Sequence, residues 1–405
     1  MRAPRSLVPV FAVFLLVLAS TPAPAAAGDL DPTFGGDGVA IARFRGGALG
    51  RAAAVDAEGR LIVAGSAGRG RTAVARFLPD GELDPTFGGD GKMRGVRGSL
   101  SDIAVLSDGR IVGVGGFRDG WVVCRITAEG AMDPTFGTHG VAELAYAGGS
   151  ARGVAFDASG RILVAGSYSL QAALVRYLPG GALDPTFSGD GRRIVPLESP
   201  EAPPWAGDGL EDVAPTVDGG LVATGDADEG WIGVVRLNEN GSLTSGFGDG
   251  GSIVTTIADH EGGRAVAVHD GRILVGAVVD HAMTVLAYDD DGAPVTSFGG
   301  GDGVMTIDPG WEPYTLRMMM TTDAEGRIVV GGTDIGRRRE DIVAARLDAT
   351  GDPDAGFGGG GVATARVRYA EVMEGMAVRP DGAIAFGGYR YGPGGYVMVA
   401  AQLQG

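Results

Sequence analysis

The sequence has one cysteine, Cys124, and four histidines in 405 residues. A single cysteine excludes an internal disulfide and any cysteine-built metal cluster. Four histidines leave little material for a histidine-rich metal site. Cations are also sparse: 33 Lys plus Arg stand against 50 Asp plus Glu, a net charge of −17. Such a chain repels phosphate backbones, so nucleic acid is not an expected partner. Beyond the first eighteen residues no apolar run approaches the length of about 20 that a spanning helix needs. No HExxH, phosphate-cradling Gly loop after a strand, or Ser/His/Asp spacing occurs. What is abundant is glycine, 74 residues, more than twice the usual share of about 7%. The glycines do not fall at every third position, so collagen is excluded. With hydrophobic residues at 44% there is material for a core.

The N-terminus reads as a targeting segment. Arg2 and Arg5 precede the apolar stretch Leu7 to Leu18, and Ala25-Ala26-Ala27 fits an A-x-A cleavage pattern. The expectation is a signal peptide over 1–27 and one mature domain over 28–405. That domain would be secreted, either extracellular or periplasmic, with no membrane attachment after cleavage.

The remainder is one repeat seen seven times. Leu30-Asp31-Pro32-Thr33-Phe34-Gly35-Gly36-Asp37-Gly38 returns as Leu83 to Gly91, around Phe136 and Phe187, and in degraded form around Phe247, Phe298 and Phe357. The phenylalanines are 49 to 60 residues apart. Between them recur a Gly-bounded apolar run, such as Gly160-Arg161-Ile162-Leu163-Val164-Ala165-Gly166, and a short strand carrying Arg, such as Ala73-Val74-Ala75-Arg76-Phe77. Runs of four to six residues rich in Val and Ile exclude helical repeats. A period near 50 holds four strands of about five residues with their turns, the size of a propeller blade.

The phase can be read. Strand a precedes the Asp-Gly turn, strand b is the Ile-Leu-Val run, strand c carries the Arg, and Asp-Pro-Thr-Phe leads into strand d. Strands a and b are expected to be apolar on both faces, sandwiched between neighbours. The chain after the leader opens on a d-type segment, Leu30 to about Phe44, and ends on a c-type segment, Tyr396 to Leu403. The predicted fold is therefore an all-β, seven-bladed β-propeller of four-stranded blades, closed by pairing the N-terminal strand with the C-terminal blade.

The two recurring phrases together resemble the bacterial delta-60 repeat family, and the resemblance runs over the whole chain after the leader. It implies a secreted β-propeller domain of unknown function and supplies no catalytic residues.

Candidate residues divide by whether they follow the repeat. Asp31, Asp84, Asp133 and Asp184 precede Pro and are expected to start a tight turn that places the following Phe between blades. An Arg stands eight residues before the motif acid in Arg76/Asp84, Arg125/Asp133, Arg176/Asp184 and Arg346/Asp354, which predicts an internal ion pair. At ring closure Gln402 would face Asp31. Cys124 aligns with apolar residues of the other copies and is expected to be buried and inert. No cofactor is expected. Asp37, Asp90, Asp190 and Asp302 offer calcium only one carboxylate per loop.

Two groups break the symmetry. His260, Glu261, Asp280 and His281 lie in loops serving the fifth blade, and define the catalytic alternative, a secreted propeller hydrolase or lyase. Trp205, Trp311, Tyr389 and Tyr391 lie in the variable d–a and b–c loops, and define the favoured reading. That reading is a monomeric, non-catalytic scaffold binding a protein or polysaccharide on one rim.

Overall fold

The Ile-Leu-Val runs that follow each Asp-Gly turn form the second strand of seven antiparallel sheets in the computed structural model. The structure describes residues 26–118, 120–143, 145–197, 209–227, 231–257, 262–307, 318–336, 339–367, 371–392 and 395–405. Residues 1–25 of the expected leader, and Trp205, His260, Glu261 and Trp311, lie outside them. All regular structure among the described residues is strand.

Each sheet is one repeat in the order a, b, c, d. Blade 1 comprises Ala48–Val55, Leu61–Ala67, Arg71–Phe77 and Lys92–Arg97. Blade 2 comprises Ser99–Val105, Ile111–Phe117 and Gly120–Ile126, and its fourth strand shrinks to a bridge between Cys124 and Val141. Blades 3 to 6 begin with Ser150–Phe156, Gly209–Pro215, Gly263–His269 and Met319–Thr322. Blade 7 holds Glu371–Val378, Ile384–Gly392 and Gly395–Leu403, and takes its outer strand from the other end of the chain, Val39–Ala42. Val39 pairs with Ala401 and Ala42 with Met398, which closes the ring as the phase of the repeat predicts.

Strands b and c are buried almost throughout, because each sheet is covered on both faces by its neighbours. Strand a departs from the expectation. It is only half-buried, as in Ser99–Val105, because it is innermost and turns one side to a central channel.

Six of the seven a strands carry a β-bulge near their start, which places Arg51, Ser101, Arg152, Glu211, Arg264 and Glu374 outside the ladder register. The bulge explains a recurrent glycine in strand b. A Cβ at Gly65, Gly115, Gly166, Gly225 or Gly388 would collide with a carbonyl oxygen of the bulged strand, from Leu49, Ser99, Ser150, Gly209 and Val372 respectively.

Blades are joined by the Asp-Pro-Thr-Phe motif. The motif acid makes an Asx turn rather than a helix, its Oδ1 accepting the Thr N–H two residues on at 2.9 Å in Asp31, Asp84 and Asp133. All seven motif phenylalanines are fully buried. Over Phe87, Phe136, Phe187 and Phe357 lies the strand-c guanidinium, 4.6–4.9 Å from the ring centre. That guanidinium meets the motif acid at 2.8 Å in Arg76–Asp84 and 2.7 Å in Arg125–Asp133, Arg176–Asp184 and Arg346–Asp354. It also reaches forward: Arg76 donates to the Ala128 carbonyl at 2.7 Å and Arg125 to that of Pro179 at 2.6 Å. The eight-residue spacing thus encodes a brace from one blade to the next. Arg236, whose own motif acid is lost, turns to Asp218 at 3.0 Å and Asp290 at 3.3 Å. Cys124 is buried, and burial pushes its thiol up to about 12, so it stays protonated.

Candidate functional site

The two ends of the ring differ in chemistry. At one rim lie the a–b and c–d turns, committed to the braces just described. At the other lie the d–a and b–c connections and the mouth of the central channel.

The channel is a cavity of about 640 Å³ lined by strand a of every blade. The bulges aim charge into its mouth. Arg51 of blade 1 meets Glu374 of blade 7 at 3.2 Å. Arg152 of blade 3 pairs with Glu211 of blade 4, which lies 3.9 Å from Arg264 of blade 5. Arg264 also meets Asp226 at 2.8 Å. Among the described residues, Met318–Met320 of blade 6 supply the apolar part of the wall.

Deeper, the position after the bulge is Asp102 in blade 2 and Asp212 in blade 4. Each carboxylate accepts two backbone N–H groups at 2.8 Å: Asp102 from Ile103 and Val154, Asp212 from Val213 and Val266. One donor of each pair is on the next blade, so these acids are also inter-blade ties. Protein surrounds both, although the channel leaves them partly accessible. Desolvation raises Asp102 to about 6, against its two N–H donors. Desolvation also raises Asp212 to about 7, and the charges of Asp102 and Glu211 add to it.

This arrangement was missed in the sequence because the channel charges sit in six different repeats. The signal is the polar residue at the bulge of strand a: Arg51, Ser101, Arg152, Glu211, Arg264 and Glu374 each follow Gly, Ala, Leu or Met.

Of the rim aromatics, Tyr389 and Tyr391 fall at the junction of blades 7 and 1. Tyr391 and Tyr396 face each other across the last hairpin, with ring centres 5.1 Å apart, and Tyr389 lies 5.7 Å from Tyr396. Tyr391 is 67% and Tyr396 45% exposed. Tyr396, which the sequence reading left out, borders a groove of about 430 Å³ whose other walls are Gly46, Gly47, Ala48, Leu49, Ser66, Ala67, Gly68 and Gly395. Tyr389 and Tyr391 are thus brought together.

Asp280 and His281 are the two exposed tip residues of a tight hairpin, both at positive φ (44° and 71°). No group of three or more His, Cys, Asp or Glu able to hold a metal ion occurs among the described residues. Of the acids weighed for calcium, Asp190 and Asp302 each accept a backbone N–H two residues on at 3.0 Å, and Asp90 meets Lys92 at 3.1 Å.

No curated protein matches the chain. Among solved structures it is similar to the extracellular domain of the putative hybrid two-component system BT4673 from B. thetaiotaomicron, at 8% identity and TM-score 0.44, covering 89% of this chain and 39% of that one. It is similar to a chain of a nidogen/laminin complex at 14% identity and TM-score 0.36, covering 62% and 78%. It is also similar to a protein from Lactobacillus plantarum at 14% identity and TM-score 0.48, covering 74% and 81%. At TM-scores this low none carries an argument about ligand or chemistry. The family described as "Domain of unknown function (DUF5122) beta-propeller" matches residues 57–87, 106–136, 158–187 and 324–357, each running from an a–b turn to a motif Phe. Four of the seven blades of the ring thus carry the DUF5122 β-propeller repeat, the delta-60 repeat, whose function is unknown.

Proposed function

We propose that this protein is an exported, non-catalytic binding propeller that takes its ligand on the rim bearing the d–a and b–c connections and the channel mouth. The observation that carries this reading is the Tyr391–Tyr396 pair beside the groove between blades 7 and 1. Tyrosine offers large apolar area with few rotors to freeze, and leaving two exposed side by side gives the isolated fold little. On the opposite rim the recurring polar residues already hold one blade to the next.

The catalytic alternative gains less support. It needs His281 in a concave site, whereas His281 stands on an exposed hairpin tip. The carboxyls with raised affinity for protons, Asp102 and Asp212, are engaged by backbone donors on both oxygens.

The test is a screen of the purified protein against polysaccharides and proteins, repeated with Tyr391→Ala/Tyr396→Ala and with Glu82→Ala on the opposite rim. The double variant should lose the ligand while Glu82→Ala keeps it. A ligand held equally well by the double variant would refute the rim assignment.

A further inference from the structure

One sector of this rim reverses the charge of the chain. Arg43, Arg45, Arg69, Arg71, Arg94, Arg97 and Arg118 are all exposed. Among the described residues none of these seven is joined to a carboxylate. By contrast the half-buried Arg60, Arg110, Arg161, Arg264 and Arg327 each have an acidic partner within 2.9 Å.

The fold draws the seven together. Arg71 stands directly opposite Arg97 in the ladder between strands c and d of blade 1. The same position in blade 6 pairs Asp341 with Arg366. Arg71 donates to the Gly95 carbonyl at 2.7 Å, and the Gly98 N–H to the Gly70 carbonyl at 3.0 Å, which ties the tip carrying Arg69 to the one carrying Arg97. Arg94 donates to the Arg45 carbonyl at 2.5 Å and lies 5.6 Å above the Phe44 ring. Gly70 backs onto Phe117, beside Arg118. Like charges opposed across an antiparallel pair destabilise it, and the described fold supplies no anion to offset them.

The sector runs into the tyrosine groove. A Cβ at Gly68 would lie 3.7 Å from Arg94 Nη1, and one at Gly47 would lie 3.3 Å from the Tyr396 carbonyl. Gly46, Gly47 and Gly68, which carry no side chain, line the groove together with Ser66. The groove thus has a guanidinium at one end and an aromatic ring at the other.

Resting on the rim reading above, we infer that blades 7 and 1 bind an acidic polysaccharide, its sugar rings against Tyr396 and Tyr391 and its anionic groups on the arginines of blade 1. Guanidinium groups take carboxylate or sulfate in bidentate fashion. A nucleic acid fits less well: the tyrosines pack edge to face on one another, giving no run of parallel faces for successive bases.

The test measures affinity of the purified protein for polygalacturonate, dextran sulfate, neutral dextran and an oligothymidylate. Binding to one or both acidic glycans is expected, weaker by about tenfold or more on raising salt from about 50 to about 300 mM. Polygalacturonate against dextran sulfate decides whether carboxylate or sulfate is the preferred anion. Arg94→Gln/Arg97→Gln should weaken binding about tenfold and Arg366→Gln should leave it unchanged, all with wild-type thermal stability. Failure to bind either acidic glycan, oligothymidylate bound as tightly, or full affinity in the arginine variant would each overturn the inference. A neutral glycan or protein ligand lost in Tyr391→Ala/Tyr396→Ala would then leave the rim reading standing on its own.

Discussion

The side-chain amide of Gln402 donates to Oδ2 of Asp31 at 2.7 Å, joining buried groups 371 residues apart. In blades 1, 2, 3 and 6 an arginine on strand c meets the motif acid directly. Here Arg379 donates to Gln402 Oε1, so glutamine relays between cation and carboxylate. Gln402→Ala removes one partner from each, leaving Asp31 with Thr33 and Arg379 with the Pro79 carbonyl, and the lost buried hydrogen bonds should cost about 1–3 kcal/mol. Urea unfolding should show a loss of that size, and an unchanged midpoint would mean that the closure rests on the strand ladder alone.

The motif phenylalanines should be the strongest single anchors. Phe87→Ala removes a fully buried ring from the interface between blades 1 and 2 and should cost about 3–5 kcal/mol. Val217→Ala, at a side chain 96% exposed, should stay within about 0.5 kcal/mol. Comparable small effects in calorimetry would contradict a structural role for the motif.

Much of this architecture was legible in the sequence because its devices are local and repeated. The Arg-to-Asp spacing of eight residues spans one turn between strands c and d, so a sequence offset translates directly into a contact. The phase of the first and last segments sufficed for ring closure. The site was less legible because its parts are spread over the ring. Arg51 and Glu374 meet only because blade 7 returns beside blade 1. Strand a looked apolar on both faces, since its short Ala and Val runs resemble those of strand b, and only the bulge turns its polar residues inward. The arginine sector was hidden by averaging, because a net charge summed over the chain masks a cluster of one sign.

The channel acids set a pH dependence. Asp102 and Asp212 carry folded values of about 6 and about 7 against 3.8 for an ordinary aspartate, burial being the main cause. Both values are raised, so their contribution to stability is full below pH 3.8 and is lost as pH climbs through the folded values. The motif acids work in the opposite sense. Burial opposes the shift at Asp133, but Thr135 and Arg125 outweigh it and hold the group at about 2, so that contribution is lost only as pH falls below about 4. Melting temperature should therefore decline from about pH 5 to about pH 8 more steeply in the wild type than in Asp102→Asn/Asp212→Asn. Parallel profiles would show that neither acid titrates there.

Processing of the N-terminus is constrained by Ala27. The residue after each motif Phe donates its N–H to a turn of the next blade, as Gly88 does to Glu129 and Gly299 to Thr350. For Phe357 the acceptor is the Ala27 carbonyl, 2.9 Å from Gly358 N, and Ala26 N–H is held by Asp29 at 2.9 Å. Cleavage after Ala27 would remove that acceptor. Cleavage after Ala25, at Ala23-Pro24-Ala25, would keep it. If the leader is removed on export as proposed above, sequencing of the mature protein should begin at Ala26, and a start at Gly28 would show that the seventh contact is dispensable.

The most direct test of the rim assignment is hydrogen exchange of the whole protein with and without a bound acidic polysaccharide. Slowed exchange should concentrate at residues 44–49, 66–71 and 389–398, around the groove and the arginine sector. Slowing confined to the opposite rim, at the turns of residues 56–60 and 78–82, would contradict the account.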